Sequence, residues 1–147
     1  MWAGSLSHNG LTGCGVAGDW ASHQLEHELG GMFDVAHGAG LAAVWGSWAR
    51  YVYREDVQRF AQFAVNVMGV EPGGCSAEEL ADKGIEAMEA FYRSIGMPTS
   101  IHEMGVDVTG EQLHELAYKC SFGNTRTIGN FRKLAMEDME KIYTMAR

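Results

Sequence analysis

The stretch Asp19–His37, DWASHQLEHELGGMFDVAH, carries three of the six histidines of the chain and sets the geometry around which the rest is expected to fold. His23 and His27 are four residues apart, so a helix would place both imidazoles on one face, one turn from each other. The glycine pair Gly30–Gly31 then interrupts the helical pattern and allows the chain to reverse. The sequence therefore predicts that a turn brings His37 back toward the other two histidines.

Helical periodicity dominates the remainder of the chain, and no strand pair or internal repeat is visible. Two capping boxes mark helix starts, Ser76 with Glu79 and Thr109 with Gln112. Helices are predicted in five further segments, namely Ala36–Tyr53, Arg54–Met68, a segment from Ser76 to Gly96, one that begins at Thr109, and Ala135–Ala146. We therefore expect an all-α fold, a helical bundle that forms one domain over residues 1–147.

Composition excludes several classes of function. The chain has 147 residues, a net charge of -8 and no dense cluster of basic side chains, which argues against nucleic acid as a partner. Its longest apolar run falls short of the ~20 residues that a bilayer-spanning helix needs, and no signal peptide is visible. Three cysteines without a CxxC pair are typical of reduced thiols. We expect a cytoplasmic protein that does not bind membranes.

The three clustered histidines indicate a metal site, because core packing does not require them and neutral imidazole is a common ligand for zinc and iron. His8, His102 and His114 are expected to be ordinary hydrogen-bonded side chains. A competing interpretation takes HQLEH as the H-x-x-E-H motif of zinc peptidases, with Glu26 as the catalytic carboxylate. That motif needs a distant third ligand, for which Glu103 is one candidate, and it leaves His37 without a role.

Asp19 and His23 form an Asp-x3-His pair that could also bind a metal together. An aspartate immediately before a helix is explained equally well as an N-cap that accepts backbone N–H bonds, and we favour the cap.

The motif His-x3-His-Glu-Leu-Gly-Gly followed by His-Gly, here His23 to Gly31 with His37 and Gly38, resembles the iron-containing alcohol dehydrogenases, in particular their butanol dehydrogenase-like branch. The segments MWAGSLSHNGLTGCG, DWASH and IYTMAR are also similar to that branch. The resemblance runs over the whole chain.

The resemblance implies a nucleotide-binding α/β domain followed by a helical domain, with a divalent metal in the cleft between them. It identifies this chain as most of the helical domain, with the nucleotide-binding domain and the start of the helical domain lying upstream of residue 1. His23 and His37 match two metal ligands, and the other two ligands form an earlier Asp-x3-His pair. His27 matches a catalytic, cofactor-binding histidine beside the metal and the nicotinamide.

The implied parent protein is a metal-dependent NAD(P)(H) alcohol dehydrogenase or aldehyde reductase that interconverts primary alcohols and aldehydes. The metal would be iron, or zinc, manganese or nickel, and a homo-oligomer is expected. No GGGS or G-x-G-x-x-G motif for the dinucleotide phosphates is present, so the chain alone is expected to be inactive. The alternative is a non-catalytic helical module for metal binding or assembly, whose uncovered apolar surface would drive association.

Overall fold

The structure is a computed structural model that describes residues 1–147. It contains seven α-helices and three 3-10 helices, and its one β-type pairing is an isolated bridge between Ile128 and Leu134. The α-helices are α1 Trp2–His8, α2 Ala21–Phe33, α3 His37–Val52, α4 Val57–Asn66, α5 Ala77–Ser94, α6 Gly110–Cys120 and α7 Met136–Ala146. The 3-10 helices are Leu11–Gly13, Tyr53–Glu55 and His102–Met104. The predicted all-α fold is confirmed.

Helix α3 lies at the centre of the domain and contacts α2, α5 and α7. Half of its 16 residues are buried, and most of those are alanine or glycine, which lets the neighbouring helices approach closely. Helix α4 pairs with α5, while α6 packs on both α7 and α2. The histidine-bearing α2 is therefore held between the central helix and the C-terminal pair. None of the helices combines the length and apolar composition needed to cross a bilayer.

Both predicted capping boxes are present. The Ser76 hydroxyl accepts the Glu79 backbone N–H at 3.2 Å, and the Glu79 carboxylate accepts the Ser76 N–H at 2.7 Å. Thr109 and Gln112 form the same reciprocal pair, at 3.2 and 2.9 Å. Because a capping box satisfies two backbone donors that a helix start leaves unpaired, these local signals set the beginnings of α5 and α6.

The predicted helix break at Gly30–Gly31 is wrong. Helix α2 continues through both glycines to Phe33, and the chain reverses over residues 34–36. Asp34 ends the helix in the left-handed conformation, at φ 52°, and its N–H donates to the Gly30 carbonyl at 3.0 Å. Aspartate tolerates this conformation better than most non-glycine residues. The consequence that was predicted, the return of His37 toward α2, is nevertheless present.

Asp19 accepts a backbone N–H at the start of α2, as the predicted cap requires, although the residue that directly precedes the helix is Trp20. One Asp19 carboxylate oxygen accepts the Ala21 N–H at 2.8 Å, and the other accepts the N–H groups of Asn130 and Phe131, both at 2.7 Å. Asp19 therefore fastens the loop before α7 to the start of α2. Gly129 suits this tight loop, since its φ is +83° and an added Cβ would lie 2.4 Å from the Arg132 carbonyl oxygen of the same loop and 3.3 Å from Oδ2 of Asp19.

Candidate metal centre

The three histidines that the sequence singled out meet at one end of the α2–α3 pair. His23 and His27 lie one turn apart on α2, and His37 is the first residue of α3. The ring centre of His37 lies 5.5 Å from that of His23 and 5.6 Å from that of His27, while His23 and His27 are 6.5 Å apart. The rings of three potential metal ligands from two helices thus lie close together, with His37 nearest to both of the others.

These separations fit a divalent metal. Two imidazoles that bind one zinc ion through nitrogens at about 2.1 Å have ring centres about 5 Å apart. Both pairs that include His37 come close to that value. His27 and His37 are exposed, and His23 is half-buried, so an ion can reach the rings from solvent. The donor chemistry, neutral imidazole nitrogen, suits iron and zinc.

The environment of His23 favours its neutral form. Partial burial lowers the pKa of His23, and the nearby rings of His37, His27 and His8 lower it further by charge repulsion. A neutral imidazole keeps a lone pair that a protonated one lacks, and metal binding requires that lone pair. The surroundings of His23 therefore favour the form of the ring that can bind a metal.

Glu26 lies beneath the histidines and is 1% exposed. Its carboxylate bonds to Nδ1 of His37, and one potential ligand atom each from Glu26, His27 and His37 lie within 4.8 Å of one another. Sequence reasoning considered Glu26 only as a peptidase carboxylate and missed this contact. A signal existed in the helical pattern, since Glu26 falls on the same buried face of α2 as Leu25 and Leu29.

Two aromatic side chains border the histidines and were not predicted to do so. The Trp20 ring centre lies 4.8 Å from that of His23, in an edge-on arrangement. His8, at the end of α1, lies 5.8 Å from Trp20 and 6.3 Å from His23. Nδ1 of His8 lies 3.1 Å from the carbonyl of Gly4, which accepts its hydrogen. His8 is thus a hydrogen-bonded side chain, as expected, but its ring extends the histidine cluster.

The other ligand candidates have different partners. Both oxygens of the Asp19 carboxylate accept backbone N–H groups, two of them from the loop before α7, so this carboxylate serves a structural purpose. The carboxylate of Glu103 accepts the N–H and hydroxyl of Thr99, at 2.6 and 3.1 Å. Neither belongs to the group whose potential ligand atoms all lie within 4.8 Å of one another, which contains Glu26, His27 and His37 but not His23.

Two buried side chains, one on α7 and one on α6, contact backbone carbonyls of α2. The Tyr143 hydroxyl on α7 donates to the Leu25 carbonyl at 2.6 Å, and the Cys120 thiol on α6 lies 3.4 Å from the Gln24 carbonyl. Burial raises the pKa of Tyr143 well above its ordinary value and that of Cys120 to about 11. Both groups therefore stay protonated and remain donors at neutral pH.

The family model described as "Fe-containing alcohol dehydrogenase family, C-terminal" matches residues 6–147. A probable NADH-dependent butanol dehydrogenase 1 of Bacillus subtilis is 35% identical over 142 residues, which are 97% of this chain and 36% of that enzyme. The NADPH-dependent aldehyde reductase YqhD of Escherichia coli is 32% identical over an alignment of 149 positions, which covers 100% of this chain and 37% of that protein.

Solved structures agree with the sequence comparison. The crystal structure of NADH-dependent butanol dehydrogenase A from Thermotoga maritima superposes with a TM-score of 0.88 at 32% identity, covering 99% of this chain and 37% of that one. The chain belongs to the iron-containing alcohol dehydrogenase family, and it corresponds to the C-terminal domain of the butanol dehydrogenase and aldehyde reductase relatives. It spans a little over a third of the length of these relatives.

Proposed function

We propose that this chain is the metal-binding helical part of an NAD(P)(H)-dependent enzyme that interconverts primary alcohols and aldehydes. The observation that carries the proposal is the meeting of His23, His27 and His37 in a chain of this family. The names of the relatives support the reaction class, since they are butanol dehydrogenases and an aldehyde reductase. They include both NADH- and NADPH-dependent enzymes.

His23 and His37 are the proposed metal ligands. They project from different helices, so binding one ion would tie the start of α3 to α2, and their exposed side leaves room for further ligands. When bound, a divalent metal in such a site acts as a Lewis acid that polarises a carbonyl or lowers the pKa of an alcohol. Iron, zinc, manganese and nickel all accept imidazole nitrogen, and iron is favoured by the family.

His27 is the proposed proton-transfer and cofactor-facing residue. It is exposed, and its ring centre lies 5.6 Å from that of His37. A neutral imidazole nitrogen is a proton acceptor and its protonated form a donor, so a ring nitrogen of His27 can take the proton of an alcohol or return it to the product of carbonyl reduction.

Two properties of the chain support further proposals about its setting. All three cysteines are free, including exposed Cys14, which supports a cytoplasmic location. Phe91, Ile95 and Met97 are exposed apolar residues near the end of α5, which supports a homo-oligomer. Light scattering on the purified protein would show a mass above 16.1 kDa if copies of the chain associate.

The ligand assignment is tested by metal binding to this chain. We expect His23→Ala and His37→Ala each to raise the Kd for Zn²⁺ or Fe²⁺ at least about tenfold, because each removes a direct ligand. His102→Ala is the matched control, since this exposed histidine pairs with Asp107 instead. Equal binding by the wild type and both variants would contradict the assignment. Loss of metal on His27→Ala with no effect of His37→Ala would favour the H-x-x-E-H motif, in which His23 and His27 are the ligands.

The reaction class is tested with a chimaera in which this chain replaces the matching C-terminal part of NADH-dependent butanol dehydrogenase A of Clostridium acetobutylicum. We expect the chimaera to oxidise NADH with butanal and His27→Ala to lower its kcat. The chain alone should show no turnover, because hydride transfer needs a held nicotinamide and loses an effective molarity of ~10⁵ M or more without one. Turnover by the chain alone, or a folded, metal-loaded but inactive chimaera, would contradict the proposal.

A further inference from the structure

The burial of Glu26 requires an explanation that packing does not give. Moving a carboxylate out of water is costly unless it is paired and hydrogen-bonded, and a leucine would fill the same stripe of α2 at no such cost. The residue is 1% exposed, and the partner of its carboxylate is Nδ1 of His37. A buried acid has therefore been placed against one of the two proposed metal ligands.

The neighbouring glycines make the space that this acid occupies. A Cβ added at Gly40 would lie 2.7 Å from Cγ of Glu26 and 2.8 Å from its Oε1, both closer than real Cβ contacts come. At Gly30 an added Cβ would lie 3.4 Å from the same oxygen. The side chain thus sits in a recess formed by both helices, and the recess fixes where the carboxylate can lie.

The contact fixes the state of the histidine ring. An ionised carboxylate can only accept, so the hydrogen between the two groups belongs to Nδ1 of His37. In the neutral imidazole, Nε2 then carries the lone pair. This arrangement, in which a carboxylate accepts from the nitrogen that is not used for the metal, is the usual way in which proteins orient a metal-binding histidine.

We propose that Glu26 is a positioning residue of the metal centre: by accepting the Nδ1 hydrogen of His37, it presents Nε2 to the ion. The inference rests on the proposed function, since it takes His37 as a ligand. Glu26 does not itself touch the metal, and Gly40 contributes by leaving room for the carboxylate. The residue thus has a role that neither the peptidase motif nor the histidine spacing predicts.

The first test measures the ring of His37 in the metal-free protein. Imidazole ¹⁵N NMR above the pH at which His37 is protonated should find the hydrogen on Nδ1 in the wild type. In Glu26→Met, which has no acceptor but a similar length, it should move largely to Nε2. Glu28→Met on the same helix is the control, because Glu28 bonds to no histidine and should leave the tautomer unchanged. An unchanged tautomer in Glu26→Met would overturn the proposal.

The second test measures Zn²⁺ affinity with the same proteins. Loss of a carboxylate that is hydrogen-bonded to a metal-binding histidine weakens metal binding about 10–100-fold, so we expect a Kd increase in that range for Glu26→Met. The increase should be smaller for Glu26→Gln, which keeps an acceptor oxygen. A raised Kd with an unchanged tautomer would mean that Glu26 is itself a ligand, and a Kd within about twofold of the wild type in both variants would mean that it plays no part.

Gly40→Ala provides a variant in which the carboxylate is chemically intact but displaced. It should raise the Kd in the same direction as Glu26→Met, whereas Gly38→Ala, whose added Cβ would meet no atom within 4 Å, should not. His37→Ala distinguishes a failure of the proposed ligand set from a failure of the role proposed for Glu26. If His37→Ala leaves zinc binding unchanged, the proposed ligand set fails; if it abolishes binding while Glu26→Met and Gly40→Ala bind normally, only the role of Glu26 fails.

Discussion

Replacing Gly84 by alanine should destabilise the domain, although alanine is the better helix former. Gly84 is buried on α5 where this helix crosses α4. An added Cβ would lie 2.6 Å from the Ala64 Cβ and 2.9 Å from its Cα. Carbon atoms in contact prefer about 3.5–4.0 Å, so the two helices must move apart by about 1 Å. The obstacle is helix backbone, which cannot rotate away as a long side chain could.

The size of the effect follows from two opposing terms. Helix propensity favours the alanine by about 1 kcal/mol, whereas overpacking a core typically costs about 1–3 kcal/mol and sometimes more. Because the contact involves backbone atoms, we expect the upper end of that cost and a net loss of about 1–2 kcal/mol. For a domain of this size, each kcal/mol shifts the Tm by roughly 2–4 °C, so the expected decrease is about 2–8 °C.

Gly31→Ala is the matched control. Gly31 also lies inside a helix, but an added Cβ there would meet no atom within 4 Å. Only the propensity term applies, and the variant should be up to about 1 kcal/mol more stable than the wild type. Urea unfolding followed by circular dichroism measures both variants. A Gly84→Ala protein that is as stable as Gly31→Ala would refute the close approach of α4 and α5.

Two further predictions concern the surroundings of the histidines. Asp19→Ala leaves three backbone N–H groups without their acceptor, so it should lower the free energy of unfolding by about 1–3 kcal/mol in a denaturant titration. If the Kd for Zn²⁺ also rises as much as in His23→Ala, Asp19 is instead a metal ligand. Burial raises the pKa of Cys120 to about 11, so this thiol stays protonated at pH 8. A disulfide reagent should therefore react with Cys14 and Cys75 in the native protein and with all three cysteines in denaturant. Rapid reaction of three thiols in the native protein would contradict the buried position of Cys120.

The features that the sequence predicted correctly are local ones. The capping boxes at Ser76 and Thr109 each involve residues three apart, so short-range pattern is enough to locate them. The spacing of His23 and His27 likewise depends only on helix geometry. A chain reversal after the glycine pair was expected to bring His37 back to them, and the structure brings the three rings together, although the reversal lies at residues 34–36.

The features that were missed depend on contacts distant in the chain. Asp19 was expected to cap α2, but two of its backbone partners lie 111 and 112 residues away. The glycine pair in α2 was expected to end the helix, since each glycine costs about 1 kcal/mol relative to alanine. Packing against α3 and α6 outweighs that cost, and helix propensity alone does not include it. Glu26 could not be assigned because its recess is formed by Gly40 of the next helix.

An anomalous difference map from crystals grown with Co²⁺ or Zn²⁺ shows whether His23 and His37 bind one metal ion. We expect a single peak about 2.1 Å from a nitrogen of each of the two rings, with the peak on the Nε2 side of His37 and the Glu26 carboxylate still bonded to Nδ1. An ion bound at saturating metal by His27 and the Glu26 carboxylate, with His37 outside its coordination sphere, would contradict the claim.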